Sequence, residues 1–162
     1  MRTGLGYDIH RLADGTSVKL GGVVIPSTKR VVAHSDGDLV FHALSNAVLS
    51  ALGLSDIGTY FPDTSSTTEK MDSARILLFS LDEMKKRHYH VANAVVILIT
   101  EEPRLSPYKE AIRSSLARLL EVPEEDVSVH ANTKEKCMEV GRKEAIECLA
   151  NVLLEKDEER SL

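Results

Sequence analysis

Arg2-Thr3-Gly4-Leu5-Gly6-Tyr7-Asp8-Ile9-His10 carries the reading of this chain's architecture and of its chemistry. The stretch is short and ends in strict alternation, so it reads as a β-strand. Its two-residue period puts Asp8 and His10 on one face, roughly 6–7 Å apart, where both can reach one ion. A third ligand candidate is His42, at the end of Ala33-His34-Ser35-Asp36-Gly37-Asp38-Leu39-Val40-Phe41-His42. Over residues 38–52, Val40, Leu44, Ala47, Val48 and Ala51 recur at helical spacing, and Asp36 or Asp38 is placed to cap the N-terminus. Asp38, His42 and Asn46 then form a separate stripe of that helix. Two imidazoles and one carboxylate suit Zn²⁺, and three protein ligands rather than four leave a position open for chemistry. Taken alone, the same residues also fit buried, hydrogen-bonded histidines.

Outward from this core the pattern predicts a strand at 2–10, a hairpin at 18–26 turning at Gly21-Gly22, and a helix at 38–52. An extended loop at 53–67 follows, then a helix at 73–87 and a strand at 90–100 rich in Val and Ile. A helix at 107–120 opens after Ser106, a strand runs over 127–133, and a closing helix over 142–154. Strands separated by helices give α/β or α+β, with helices covering a sheet. The loop at 53–67 is long for a compact domain, which points to a functional segment. Asp56 and Asp63 within it also fit simple turn residues.

The 162 residues fit one domain, 1–162, large enough for a substantial core. A 43% hydrophobic and 28% charged composition is that of an ordinary globular chain. A net charge of −5 excludes nonspecific nucleic-acid binding, and Lys85-Lys86-Arg87 is too short a basic run to supply it. No stretch approaches the ~20 apolar residues of a membrane span, and the strand pattern starts by residue 2 without a leader, so a cytoplasmic location is expected. Cys137 and Cys148 lack metal-site spacing and read as reduced structural thiols.

Gly6-Tyr7-Asp8-Ile9-His10-Arg11, Ala33-His34-Ser35-Asp36-Gly37-Asp38, His42-Ala43-Leu44, Ser55-Asp56-Ile57-Gly58, Phe61-Pro62-Asp63-Thr64, Thr133-Lys134-Glu135-Lys136 and Gly141-Arg142-Lys143-Glu144 stand in this order along the chain. Together they resemble the 2-C-methyl-D-erythritol 2,4-cyclodiphosphate synthase family of the non-mevalonate isoprenoid pathway, over essentially the whole length. The resemblance implies an α+β fold, a small mixed β-sheet with helices packed on one face, assembled as a homotrimer. The implied reaction converts 4-diphosphocytidyl-2-C-methyl-D-erythritol 2-phosphate to the cyclic diphosphate by internal attack of the 2-phosphate on the β-phosphorus, expelling CMP.

By the same resemblance, Asp8, His10 and His42 hold one Zn²⁺ per subunit, and Glu135 holds a Mg²⁺ or Mn²⁺ that arrives with substrate. His34 and Thr133 take catalytic roles, and Ser35 joins His34 at the 2-phosphate. Asp56, Ile57, Gly58, Phe61, Asp63 and Thr64 line the sugar-alcohol site, and Pro103, Arg104 and Leu105 the cytidine pocket, contributed by the neighbouring subunit. Asn132, Lys134 and Arg142 complete the substrate contacts. Locally, His34 also fits a loop histidine at a helix cap, Glu135 a surface glutamate at a helix start, and Arg142 an arginine paired with a carboxylate.

Several positions depart from the family, among them the usually Thr-rich stretch before Glu135, which here reads Asn132-Thr133-Lys134. Asn46 stands where Asp is usual, Met138 where Gly is frequent, and Glu139 where an aromatic or apolar residue is common. An amide at 46 would polarise His42 less than a carboxylate, if that position orients the ring. Two other functions fit the ligand set: a zinc-dependent phosphohydrolase, and a non-catalytic, metal-stabilised trimeric binding module.

Overall fold

A computed structural model of the chain describes residues 1–62 and 71–157. The opening strand, β1 (Arg2–Asp14), runs four residues beyond its expected end. It is followed by a small hairpin of β2 (Ser17–Leu20) and β3 (Val23–Pro26), turning at Gly21 and Gly22, both with positive φ. Then come β4 (Lys29–Val32), α1 (Leu39–Leu52), the short α2 (Ile57–Tyr60), α3 (Ala74–Lys85) and β5 (Tyr89–Ile99). A 3₁₀ turn at Ser106–Tyr108 leads into α4 (Lys109–Leu120), β6 (Val127–Asn132), the short α5 (Met138–Gly141) and β7 (Ala145–Lys156).

The main sheet has the order β4-β1-β7-β5-β6. It is mixed: β5 and β6 are parallel, and the remaining pairs antiparallel. The expected closing helix at 142–154 is therefore wrong, because this segment is the central strand β7. Ile146, Cys148, Ala150, Val152 and Leu154 are buried at every second position, with Glu147 and Asn151 among the less buried residues between them. Alanine, leucine and glutamate favour a helix locally, but two flanking strands and a period-two apolar set override that preference. The edge strand β4 and the helical turns α2 and α5 also fall where no regular element is expected.

Gly4 and Gly6 decide how α1 meets the sheet. A Cβ on Gly6 would lie 1.9 Å from the Ala43 carbonyl oxygen, and one on Gly4 2.0 Å from that of Ala47. Only bare backbone lets the helix approach so closely, and the approach carries His42 to the strand that holds Asp8 and His10. The helices cover the face of the sheet that bears these glycines, burying Phe41, Leu44, Leu77, Leu98, Ile112 and Ile146. On the opposite face of β1, Leu5, Tyr7 and Ile9 are 62%, 48% and 45% exposed. Among the described residues no helix is long and apolar enough to cross a membrane.

Candidate metal centre and active site

Strand alternation and the α1 contact bring Asp8, His10 and His42 together, with their ligand atoms all within 4.8 Å of one another. Asp8 Oδ2 lies 3.0 Å from His10 Nδ1 and 3.1 Å from His42 Nδ1. His10 Nδ1 is buried yet makes no hydrogen bond despite that short separation, so its lone pair or hydrogen is directed off the line to Asp8. Three ligand groups that converge on one point, one of them a buried nitrogen left without a hydrogen-bond partner, suit a cation. Burial raises the Asp8 carboxyl's pKa, but the close imidazole of His10 and the hydrogen bond and charge from His42 outweigh it and hold the group below the ordinary carboxylate value. The ligand carboxylate is thus ionised, as a metal site needs.

The stripe of Asp38, His42 and Asn46 on α1 serves three partners. Asp38 is the N-cap, and its carboxylate accepts from the Phe41 N–H and from the N–H groups of Gly21 and Gly22, tying the β2–β3 turn to the helix. Asn46 Oδ1 accepts from Ile57 N at 2.9 Å. It anchors the segment after α1 rather than orienting His42, which corrects the ring-orienting role weighed for this position. His42 Nε2 instead meets Ser73 Oγ at 2.9 Å and Ser35 Oγ at 3.4 Å. Ser73 was legible only as the start of a helix.

His10, His34, Ser35, His42, Ile57 and Phe61 line one cleft of about 220 Å³, whose apolar wall is completed by Val32, Ala33, Met71 and Ile76. Asp56 caps α2, its carboxylate accepting from Thr59 N at 3.0 Å, with Gly58 beside it. Asp63 and Thr64 lie outside the described residues. A second cleft, of about 320 Å³, gathers Pro103, Arg104, Leu105, Asn132 and Thr133 with Thr100, Glu101, Ser106 and Ala131. The two clefts share no lining residue.

Glu135, Lys134 and Arg142 line neither cleft. They follow β6 in a turn where Glu135 and Lys136 have φ of 52° and 60°. Thr133 Oγ1 donates to the Glu135 carboxylate at 3.0 Å, so hydroxyl and candidate metal ligand are adjacent. Glu101, which sequence reasoning missed, holds this turn: its Oε1 accepts from Lys134 N at 3.0 Å and Lys136 N at 3.1 Å. Lys134 Nζ is engaged by Glu147 at 2.8 Å, and Arg142 is paired with Glu139 and Glu144 at the end of α5 rather than at a helix start.

A mixed α/β sheet carrying an Asp-His-His cluster beside an open cleft defines a protein with the ligand set of a catalytic metal site. The chain belongs to the YgbB family, whose model matches residues 1–155. It is 41% identical over 156 residues to the 2-C-methyl-D-erythritol 2,4-cyclodiphosphate synthase of Fusobacterium nucleatum, covering 96% of this chain and 98% of that one. A solved structure of such a synthase superposes with a TM-score of 0.88 at 37% identity, over 95% of this chain and 100% of the other. IspF of Plasmodium falciparum, in complex with CDP, superposes with a TM-score of 0.85 at 36% identity, over 97% of each chain.

Proposed function

We propose that this chain is a CMP-releasing lyase that makes 2-C-methyl-D-erythritol 2,4-cyclodiphosphate from 4-diphosphocytidyl-2-C-methyl-D-erythritol 2-phosphate, in isoprenoid biosynthesis. The observation that carries the reading is near-full-length kinship with synthases of that name, together with an Asp8-His10-His42 cluster opening on a cleft. The family match over residues 1–155 supports a single synthase domain. The absence of a disulfide between Cys137 and Cys148 is compatible with a cytoplasmic setting.

Zn²⁺ held by Asp8, His10 and His42, and Mg²⁺ or Mn²⁺ on Glu135, would supply the positive charge that this net-acidic chain lacks at its diphosphate site. The protein's own groups bind and orient. His34 and Ser35 hold the 2-phosphate, Thr133 donates a hydroxyl to the diphosphate, and Asp56, Ile57, Gly58 and Phe61 surround the sugar alcohol, which the family resemblance also assigns to Asp63 and Thr64. The cleft of Pro103, Arg104, Leu105 and Asn132 receives the cytidine, in line with a relative's CDP complex. Lys134 and Arg142, both held by glutamates, set the charge around the phosphates.

The two clefts share no residue, and β1 exposes Leu5, Tyr7 and Ile9, which supports a homotrimer with one subunit's cytidine cleft facing its neighbour's metal cleft. Mixing inactive Asp8→Ala and Arg104→Ala subunits should restore part of the activity. A fully active monomer by light scattering would refute shared sites.

An internal 2-phosphate held near the β-phosphorus reaches an effective molarity on the order of 10⁵–10⁸ M, far above that of water. Cyclisation therefore outruns hydrolysis. Product analysis should give CMP and cyclic diphosphate in equal amounts, with no ¹⁸O from labelled water. A linear bisphosphate carrying solvent oxygen would make the chain a phosphohydrolase.

A further inference from the structure

The hydrogen-bond directions behind His42 can be assigned one by one. Asp36 is surrounded by donors. Lys19 Nζ lies 2.8 Å from its Oδ2, while the N–H groups of Asp38 and Ser73 lie 3.2 and 3.3 Å from its Oδ1, which the Ser73 hydroxyl also meets at short range. Burial raises the Asp36 carboxyl's pKa, but bonds from Lys19, Ser73 and Asp38 outweigh it and hold the group below its ordinary value. An ionised carboxylate only accepts, so the single hydroxyl hydrogen of Ser73 is spent on Asp36. Ser73 Oγ is left with lone pairs for its other two neighbours, His42 Nε2 at 2.9 Å and Ser35 Oγ at 3.3 Å. Ser73 is fully buried, so this bonding takes place out of solvent. His42 Nε2 must then be a donor, and Nδ1 is the nitrogen turned to Asp8 and His10.

We propose that Ser73, backed by Asp36 and Lys19, is a positioning residue that fixes the His42 ring with its outer hydrogen on Nε2 and its Nδ1 aimed at the metal site. A metal-bound histidine usually gives its second N–H directly to a carboxylate, carbonyl or water. Here a serine stands between ring and carboxylate, and the same oxygen lies 3.3 Å from the Ser35 hydroxyl, so one buried group sits against both a metal ligand and a candidate phosphate-binding residue. The inference rests on the zinc reading of Asp8, His10 and His42.

Two measurements test it. In metal-free wild-type protein labelled with ¹⁵N-histidine, NMR should find a hydrogen on Nε2 of His42. A bare Nε2 would overturn the proposal without recourse to any variant. In competition with a chromophoric chelator, Ser73→Ala should bind Zn²⁺ about 10–100-fold more weakly, whereas Ser73→Thr, which keeps the hydroxyl, should stay near the wild-type value. No side-chain cap bond is made by Ser73 at the start of α3, so circular dichroism should show the alanine variant folded. Unchanged zinc affinity in that folded variant would also overturn the proposal. A wild type that binds no zinc would strike down the metal reading, while the nitrogen measurement still decides where the hydrogen lies.

Discussion

The metal end of the site and the turn after β6 are built in opposite ways. Asp38, Ser73 and His42 are 0%, 0% and 7% exposed, sit at or inside helix ends, and have their polar atoms bonded to the surrounding backbone and side chains. Glu135, Lys136 and Met138 are exposed and hold positive φ, a conformation that residues with a Cβ adopt at a cost. One region derives its geometry from regular elements packed through Gly4 and Gly6. The other derives it from Glu101, which grips two backbone N–H groups of a left-handed turn. Preorganisation is therefore cheap in the buried cluster and costly in the exposed turn.

The largest effect should come from breaking the buried region. His42→Ala should lose zinc and activity in parallel, activity by about three orders of magnitude, as expected when a Lewis-acid metal worth several kcal/mol is removed. Elemental analysis showing full zinc occupancy in that variant would take His42 out of the site.

The same region should show what burying charge costs. Burial pushes the Asp38 carboxyl up to about 6 from 3.8, against bonds from Gly22, Gly21 and Phe41, and the nearby Asp36 charge adds to the rise. The folded state then holds more protons than the unfolded state between these values. Stability from this group falls as pH rises through that window and is level above it. Asp8 and Asp36, whose values are lowered, contribute stability above 3.8 that is lost as pH falls, so wild type alone mixes the two trends. Comparison with Asp38→Asn isolates the first: relative to the variant, wild type should lose on the order of 2 kcal/mol between pH 4 and pH 6. Denaturant melts whose difference is flat with pH would mean that Asp38 titrates alike in the folded and unfolded states.

The contrast also explains what the sequence disclosed. Strand alternation at Asp8 and His10, the helical face around His42 and the Gly21-Gly22 turn are short-range patterns, and each survives in the fold. β7 was not legible, because its alanine, leucine and glutamate residues favour a helix locally, and the alternation of Ile146 to Leu154 becomes decisive only between β1 and β5. Ser73 lies 31 residues from His42. Only the packing of α3 beside α1 makes them neighbours, so no local signal marks it. Asn46 shows the reverse error, since its place one turn beyond His42 suggested a bond to the ring that the segment at Ile57 takes instead.

A smaller effect, confined to the exposed region, should follow Glu135→Gln. A neutral amide is a poorer ligand for a hard cation, so zinc content should stay intact while the Mg²⁺ or Mn²⁺ needed for half-maximal activity rises about tenfold. An unaltered divalent titration would separate Glu135 from the second metal. It would leave Thr133, its hydrogen-bonded neighbour, as the group of that turn proposed to meet the diphosphate.

The smallest effect should come from Met138, which has φ of 59° and is 64% exposed. A left-handed conformation costs a residue with a Cβ about 1–2 kcal/mol, whereas glycine adopts it freely but loses about 0.5–1 kcal/mol more backbone freedom on folding. Little packing is at stake for a side chain so exposed within the subunit. Met138→Gly should therefore stabilise the protein by up to about 1 kcal/mol, a rise in Tm of about 2–4 °C at this chain length. A fall in Tm would mean that the Met138 side chain makes contacts beyond its own subunit. The strain in this turn would then be offset at an interface, and the exposed region would be as tightly specified in the assembly as the buried one is within the chain.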